Sequence, residues 1–207
     1  SLYSPAFFQI ETAKFMPQKN LFNSIAFIYD RFHIGARASA RRVADVGSLH
    51  KNDEVLDLGG GTGRVAQHLI SRVKRVVAAD ASEGMMRECR RKHLTCVQAP
   101  AEKLPFADRA FDVVVMVDAF HHFHDHEAVV RETARVLRDD GRVVIEEFHP
   151  GRPWGRVIVV FERVLRFGST FFPPDTLAQV WRKGGFTVNL KREKYSVYLL
   201  LGVKTKH

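Results

Sequence analysis

The chain has 207 residues, of which 45% are hydrophobic and 27% are charged. This composition is typical of one folded globular domain and excludes a disordered or low-complexity chain. The longest apolar runs, 113–117 and 157–161, are far shorter than the roughly 18 residues that span a bilayer. The start of the chain lacks a basic segment followed by an apolar one, so we expect no signal peptide.

Two further compositional features bear on location and partners. Cys89 and Cys96 are the two cysteines of the chain, which predicts no disulfide framework and a reducing cytoplasm as the location. The net charge is +9, and residues 151–207 carry eleven Lys and Arg against three Asp and Glu. A basic region of this kind fits nucleic acid, anionic lipid or an acidic substrate, and it equally fits a solvated face.

The first three quarters of the chain alternate between strand and helix patterns. Strands are predicted at 54–58, 76–80, 94–98, 111–117 and 142–148, and helices at 23–32, 34–49, 62–73, 82–91 and 126–137. Ser82 is the expected N-cap of the fourth helix. Because parallel strands need crossover helices between them, this order predicts a doubly wound parallel sheet.

The pattern changes after Phe148. An amphipathic helix is predicted at 154–167, a second helix at about 175–183, and a β-hairpin from strands at 186–190 and 195–203. We therefore expect an α/β fold with a doubly wound, seven-stranded, mainly parallel sheet, an antiparallel C-terminal hairpin and extra N-terminal helices.

The stretch Val-Leu-Asp-Leu-Gly-Gly-Gly-Thr-Gly at 55–63 joins the first strand to its helix. A dinucleotide-binding turn needs Gly or Ala at the sixth position from Gly59, where this chain has Arg64. The observed spacing is Gly-x-Gly-x-Gly, with Asp57 two residues before the first glycine. That carboxylate suits a cationic amino group better than a pyrophosphate, although a purely structural tight turn is the alternative.

This stretch resembles motif I of the class I S-adenosylmethionine-dependent methyltransferases. Residues 101–106, Ala-Glu-Lys-Leu-Pro-Phe, resemble the Asp-Ala-Glu-x-Leu-Pro-Phe segment of the ubiquinone/menaquinone-biosynthesis-like (type 11) methyltransferases. Residues 118–123 match that family's x-x-x-Leu-His-His segment, and 135–142 resemble its Arg-Val-Leu-Lys-Pro-Gly-Gly turn. The resemblance covers about residues 20–148, and 173–203 by layout.

The resemblance implies S-adenosylmethionine as cofactor, with S-adenosylhomocysteine as product. Asp80, which is 23 residues after Asp57, would accept the ribose hydroxyls. Pro100 stands where the family has an adenine-contacting acid, so any contact there is expected from the amide of Ala101 or a neighbour. The residues expected at the cofactor are Tyr29, Asp57, Gly59, Gly60, Gly61, Gly63, Asp80, Ala81, Ala101, Glu102, Val117 and Asp118.

The resemblance also implies one methyltransferase domain over 1–207. It would consist of an N-terminal helical cap (1–50), a cofactor-binding half (51–148) and a substrate-side insert with the hairpin (149–207). If the acceptor needs a base, His121, His122 and Glu147 are the candidates. His121, His122, His124 and His126 also form a histidine run, but no Cys or clustered carboxylate stands at ligand spacing, so we expect no metal.

We expect a methyltransferase for a small, apolar or aromatic acceptor such as a quinone precursor. An RNA methyltransferase that uses the basic C-terminal region and a non-catalytic S-adenosylmethionine-binding protein are the alternatives. Asn/Asp-Pro-Pro-Tyr/Phe is missing after the fourth strand, which argues against adenine or cytosine as acceptor. Arg156, Arg163 and Arg166 lie at helical spacing and fit an anionic membrane surface or a lid, so peripheral membrane contact is a further expectation. The alternative is a helix packed on the sheet with its arginines in water.

Overall fold

A computed structural model describes residues 35–164, 168–192 and 197–205. The described chain forms one seven-stranded sheet with the strand order β3-β2-β1-β4-β5-β7-β6. Strand β7 runs antiparallel to both of its neighbours, β5 and β6, and the other adjacent pairs are parallel. The strands are β1 Glu54–Leu58, β2 Arg75–Asp80, β3 Thr95–Gln98, β4 Phe111–Val117, β5 Leu137–Phe148, β6 Phe186–Arg192 and β7 Val197–Lys204.

Helices cover both faces of this sheet. They are α1 Ala36–Val46, α2 Ala66–Leu69, α3 Glu83–Arg91, α4 His126–Val136, α5 Pro153–Val164 and α6 Pro174–Lys183, with a 3₁₀ turn at Phe120–His122. The side chain of Ser82 accepts a hydrogen bond from the amide of Met85, as expected of the N-cap of α3. The predicted α/β fold with a doubly wound sheet and an antiparallel C-terminal strand pair is confirmed.

Two apolar layers hold the helices against the sheet. Alternate residues of β4 enter different layers: Val113 and Val115 pack with Val43 of α1, whereas Val114 and Met116 pack with Trp181 of α6. Because every one of these side chains is almost fully buried, the unbroken apolar run of β4 is explained by burial on both faces. The first strand-to-helix turn lies where the chain reverses its direction of winding, between β1 and β4, which is where open α/β sheets bind ligands.

Several sequence-based boundaries differ from the structure. Helix α2 spans Ala66–Leu69 and not 62–73, because Gly63 has a φ of 75° and cannot continue a right-handed helix. Strand β5 begins at Leu137, five residues earlier than predicted, because Leu137 pairs with Phe111 before a register shift. The predicted helix at 23–32 and the strand-to-strand turn at 193–194 lie outside the described residues.

The cysteines form one local disulfide, Cys89–Cys96, with a Cα–Cα distance of 6.3 Å. The expectation of no disulfide framework therefore needs a correction at this pair. The sequence separation of seven residues gives no signal by itself. Only the packing of α3 beside β3 brings the two side chains together.

Candidate active site

In the glycine loop after β1, Gly59 and Gly63 pack closely against neighbouring side chains, whereas Gly61 borders open space. Gly59, Gly61 and Gly63 all have φ between 53° and 75°, a left-handed conformation that residues with a Cβ rarely adopt. A Cβ on Gly59 would lie 2.6 Å from the Cβ of Ala119, and one on Gly63 would overlap Leu94. A Cβ on Gly61 would meet only the sulfur of Met85, at 3.7 Å. Gly61 therefore borders space in which a ligand can approach the backbone.

Asp57 lies beneath this loop at the end of β1. It is 1% exposed, and its Oδ2 accepts a hydrogen bond from the amide of Ala66 at 3.2 Å. A Cβ on Gly60 would lie only 2.9 Å from this carboxyl group. Burial raises the pKa of Asp57 to about 7, against the opposing effects of Arg64 and the Ala66 amide. A cationic ligand group would stabilise the ionised form of this carboxylate.

Asp80 ends the neighbouring strand β2 and faces the same loop. Its Oδ1 accepts a hydrogen bond from the amide of Ser82 at 2.8 Å, and its Oδ2 accepts one from the amide of Gly61 at 3.1 Å. Burial raises the pKa of Asp80 as well, although these amides oppose the shift. Each carboxylate oxygen can accept a second hydrogen bond, so Asp80 is fixed in place and still able to hold a ligand hydroxyl.

Asp118 and Arg64 form the third charged element of the loop. Asp118 directly follows β4 with a φ of 50°, and its Oδ2 lies 3.3 Å from a guanidinium nitrogen of Arg64. Its Oδ1 is buried and has no hydrogen-bond partner among the described residues. Burial raises the pKa of Asp118 to about 7, although Arg64 opposes this. From the sequence, Arg64 was interpreted only as too large for a dinucleotide-binding turn. Its position directly after Gly63 was the available signal for a role at the loop.

The remaining expected cofactor residues lie around the same edge of the sheet. Ala81 follows β2, and its carbonyl oxygen accepts a hydrogen bond from Gln98 at 3.3 Å. Ala101 is buried, and Glu102 accepts a hydrogen bond from the amide of His124 at 3.3 Å. This contact joins the segment after β3 to the segment after β4. Val117 is the buried last residue of β4, and Tyr29 lies outside the described residues.

His121 lies beyond the loop, in the 3₁₀ turn, and is held by two carboxylates. Its Nδ1 lies 2.6 Å from Oε2 of Glu147 on β5, and its Nε2 lies 3.7 Å from Oε1 of Glu162 on α5. Burial disfavours the charged ring, but the two glutamates outweigh this effect and raise the pKa of His121 to about 10. Glu147 is itself fixed, because its Oε1 accepts a hydrogen bond from the amide of Phe120 at 2.8 Å.

His122 faces the segment that follows α5. Its Nδ1 lies 3.0 Å from the hydroxyl of Ser169, and Phe171 stacks on the ring of His121 with centroids 4.5 Å apart. Burial and the neighbouring His121 hold the pKa of His122 well below its usual value. One possible ligand atom from each of His121, His122 and Glu162 lies within 4.8 Å of the others. Glu162 and Ser169 were not expected at this site, since nothing local in the sequence predicts their meeting with the histidines.

The other two histidines of the run do not join this group. His124 is exposed. His126 is turned inward: its Nε2 lies 3.1 Å from the carbonyl oxygen of Phe120, and its ring packs against that phenylalanine. The structure thus divides the histidine run into two residues that line the candidate site, one on the surface and one that packs against the core.

The strand order, the glycine loop and the acids at the ends of β1 and β2 together define a Rossmann-like fold of the class I methyltransferase type. The structure is similar to a solved S-adenosylmethionine-dependent methyltransferase from Thermotoga maritima, with a TM-score of 0.78 and 21% identity, over 91% of this chain and 100% of the other. Residues 56–145 match the family model described as a methyltransferase domain.

Curated relatives refine this class. The chain is 36% identical over 152 residues to a demethylmenaquinone methyltransferase of Thermobifida fusca, which is 67% of this chain and 64% of the relative. It is 32% identical over 145 residues to the ubiquinone/menaquinone biosynthesis C-methyltransferase UbiE of Haemophilus ducreyi, which is 62% of this chain and 56% of the relative. These matches support a class I S-adenosylmethionine-dependent methyltransferase of the UbiE-like type, with S-adenosylmethionine as cofactor. The match spans somewhat less than two thirds of either relative's length.

Proposed function

We propose that this protein transfers the methyl group of S-adenosylmethionine to a small apolar or aromatic acceptor of the quinone-precursor type. The observation that carries the proposal is the set of three buried or half-buried acids, Asp57, Asp80 and Asp118, around the open position at Gly61. Burying three carboxylates beside the single guanidinium of Arg64 is costly. A ligand that carries an ammonium and a sulfonium charge offsets this cost.

Each charged residue has a distinct role in holding the cofactor. Asp57 would bind the ammonium group of the methionine moiety, and Asp80 would accept the ribose hydroxyls. Asp118 supplies a buried oxygen without a partner in the described chain, which fits a positively charged or N–H group. Arg64 would pair with the methionine carboxylate, because guanidinium groups match carboxylates geometrically. The backbone after β2 and β3, at Ala81 and Ala101, would border the base, with Glu102 and Val117 beside it.

Methyl transfer from a sulfonium is an in-line displacement. An electron pair of the acceptor forms the new bond to the methyl carbon, while the electrons of the carbon–sulfur bond stay on sulfur and give S-adenosylhomocysteine. A carbon acceptor then loses a proton. The protein's contribution is to hold the two reactants in line and to exclude water, which can lower a barrier by roughly 7–11 kcal/mol.

The histidine side of the site supports an acceptor with an aromatic ring and oxygen substituents. Phe171 and His121 are stacked, and Phe123 borders the loop at Gly59, so flat apolar surfaces line this side. Glu147 acts as a positioning residue, because both of its oxygens are already engaged. His121 and His122 remain the candidate polar contacts to an acceptor oxygen. The names of the curated relatives, which include a demethylmenaquinone methyltransferase, favour a quinone precursor as this acceptor.

We also propose that the outward face of α5 contacts an anionic membrane surface, where a lipid-soluble acceptor would be found. Trp154, Val157 and Val160 are 68%, 55% and 60% exposed, and Arg152 and Arg156 are exposed beside them. Apolar side chains bordered by arginines match the acyl and headgroup layers of anionic lipid. Among the described residues, no helix is both long and apolar enough to cross a bilayer, so such contact would be peripheral.

Calorimetry followed by an acceptor screen tests the main proposal. S-Adenosylmethionine should bind at one site per chain, and NAD should not bind. Release of S-adenosylhomocysteine should then require a reduced demethylated naphthoquinone and should not occur with a transfer-RNA transcript. Methylation of the RNA alone would favour the RNA alternative, and tight binding without turnover on any acceptor would favour a non-catalytic role.

Vesicle sedimentation tests the membrane contact separately. The wild-type protein should sediment with phosphatidylglycerol vesicles much more than with phosphatidylcholine vesicles. The double variant Trp154→Ala, Val157→Ser should lose this binding. Ile70→Ser is the matched control, since Ile70 is an exposed apolar residue elsewhere, 51% accessible, and should bind vesicles as the wild type does. Equal binding by both variants would contradict the proposal.

A further inference from the structure

We infer that His121, His122 and Glu162 form a binding site for one divalent first-row transition metal ion on the acceptor side of the cleft. The three side chains come from the 3₁₀ turn and from α5, which are about forty residues apart in the sequence. One possible ligand atom from each lies within 4.8 Å of the other two. The three ligand atoms are therefore near enough for modest side-chain shifts to bring them onto one ion.

The donor set indicates which ions fit. Two imidazole nitrogens and one carboxylate suit zinc, iron(II), cobalt(II) and manganese(II), whereas magnesium and calcium prefer oxygen ligands alone. Within the described residues this group has three members. Three protein ligands leave a coordination position for water or substrate, as in catalytic rather than structural zinc sites.

Hydrogen bonds at the far side of each ring orient the histidines as a metal site requires. Nδ1 of His121 lies 2.6 Å from Glu147, and Nδ1 of His122 lies 3.0 Å from Ser169. Coordination through Nε2 of each ring would leave both of these Nδ1 contacts in place. A carboxylate behind a ligating histidine fixes its tautomer and orientation and is a recurrent feature of metal sites.

One side-chain oxygen of Glu162 lacks a partner among the described residues, and a bound ion would provide one. Its Oε2 is buried and has no hydrogen-bond partner among the described residues. Its Oε1 lies 3.7 Å from Nε2 of His121, which is too long for a hydrogen bond. Two atoms that each lie about 2.0 Å from one tetrahedral ion are separated by roughly 3.3 Å, so a small shift would place both atoms on a shared ion.

The competing explanation is a protonated His121 that balances Glu147 and Glu162 without any metal. Both explanations place positive charge between the same two carboxylates, so charge balance alone does not separate them. The lone Oε2 of Glu162 favours the ion, because a proton on His121 gives this oxygen no partner. No metal was expected from the sequence, because no Cys or clustered carboxylate stands at ligand spacing in the histidine run; Glu162 reaches the histidines only through the packing of α5.

The ion's role in catalysis rests on the proposed function, whereas the site itself does not. Its open position would take an oxygen of the aromatic acceptor and hold that oxygen as an anion at neutral pH. This would orient the acceptor and increase the electron density of its ring. Metal binding is therefore measured in the absence of acceptor and cofactor, so that failure of the site and failure of the proposed methyl transfer give different results.

Zinc titration of chelator-treated protein provides the main test. Calorimetry should give one Zn²⁺ per chain, and Co²⁺ should give the visible absorption of a bound ion of low coordination number. Mg²⁺ should give no heat. Glu162→Gln and His122→Gln should each weaken Zn²⁺ binding at least about tenfold, and Ser169→Ala should weaken it less. The matched control is His124→Gln, which removes an exposed histidine of the same run and should leave Zn²⁺ affinity unchanged.

Three results would overturn the inference. They are no stoichiometric binding, equal Zn²⁺ affinity in Glu162→Gln and wild type, and loss of binding in the His124→Gln control. Thermal unfolding and S-adenosylmethionine calorimetry on each variant verify that the fold and the cofactor site are retained. A protein that binds Zn²⁺ as expected but no S-adenosylmethionine would disprove the proposed function and leave the metal site standing.

Discussion

The cofactor edge and the acceptor edge of this molecule are built in different ways. At the cofactor edge, Asp57, Asp80 and Asp118 each lie at or within one residue of the end of a parallel strand. Backbone amides or Arg64 fix them locally. At the acceptor edge, a histidine of a short turn meets Glu147 from β5 and Glu162 from α5. The first arrangement needs only neighbouring strand ends, whereas the second needs distant elements to dock correctly.

Strand β5 shows the same contrast within two consecutive residues. Glu146 faces α1, where it accepts hydrogen bonds from Ser39 at 2.7 Å and from Arg42 at 2.6 Å and 2.8 Å. Glu147 points to the opposite face and holds His121. Side chains alternate between the two faces of a strand. One glutamate therefore anchors a helix and the next positions a residue of the candidate site.

The largest expected effect is a loss of stability on substitution of Glu146, which would distinguish its role from that of Glu147. Glu146→Gln should lower the free energy of unfolding by about 3 kcal/mol, because it leaves Arg42 facing a neutral group in a largely buried network. Its affinity for S-adenosylmethionine should stay unchanged, since the network lies on the α1 side of the sheet. Urea denaturation and calorimetry measure the two quantities. An unchanged unfolding free energy would show that the Glu146 network does not anchor α1.

Asp57→Asn should weaken S-adenosylmethionine binding about 100-fold, because a charged hydrogen bond to the ammonium group is lost. The variant should be at least as stable as the wild type at pH 8, since an unpaired buried charge is removed. Asp53→Asn is the matched control: Asp53 is also buried, but it pairs with Arg142 at 2.6 Å near the start of β1. The control should lose stability and keep its cofactor affinity. Equal S-adenosylmethionine affinities in Asp57→Asn and wild type would contradict the assignment of Asp57 to the cofactor site.

Cofactor affinity should also depend on pH through Asp57, whose pKa burial raises to about 7. The bound ammonium requires the ionised carboxylate, so affinity should fall up to about tenfold for each pH unit below 7. For the free protein the sign is opposite. In the unfolded chain the carboxyl group of Asp57 has the ordinary pKa of 3.8. Between about pH 4 and 7 the folded state therefore holds a proton that the unfolded chain has released, so the free energy of unfolding should fall as the pH rises through this range. Calorimetry and denaturation at several pH values should give flatter profiles for Asp57→Asn.

The smallest expected effect is that of Gly61→Ala. The φ of 53° at Gly61 makes a Cβ cost about 1–2 kcal/mol of stability, and the added methyl group would narrow the ligand space, so affinity should fall about fivefold. Gly35→Ala is the control, with a φ of 135° and no atom within 4 Å of the new Cβ. It should lose stability without losing affinity. Thermal unfolding and S-adenosylmethionine titration distinguish the two variants, and equal affinities would show that Gly61 does not border the ligand.

The elements that the sequence predicted best are those with a strong local signal. Strand β4 was predicted with its observed limits at 111–117, because five apolar residues in a row between polar ends have few alternatives. The Ser82 cap and the start of α6 near Pro174 also follow from local chemistry. The limits of α2 and β5 were less accurate, since a left-handed glycine and a pairing with Phe111 decided them.

The sequence by itself determined the class of fold and the cofactor edge. A glycine loop and an acid near the end of each of two successive strands must meet at one edge of a parallel sheet. No knowledge of distant packing is needed to conclude this. Only the tertiary structure decided the Cys89–Cys96 disulfide, the pairing of Arg64 with Asp118, and the meeting of His121 with Glu147 and Glu162. Those contacts depend on how helices and loops dock on the sheet, and docking is set by burial over the whole core rather than by any local run of residues.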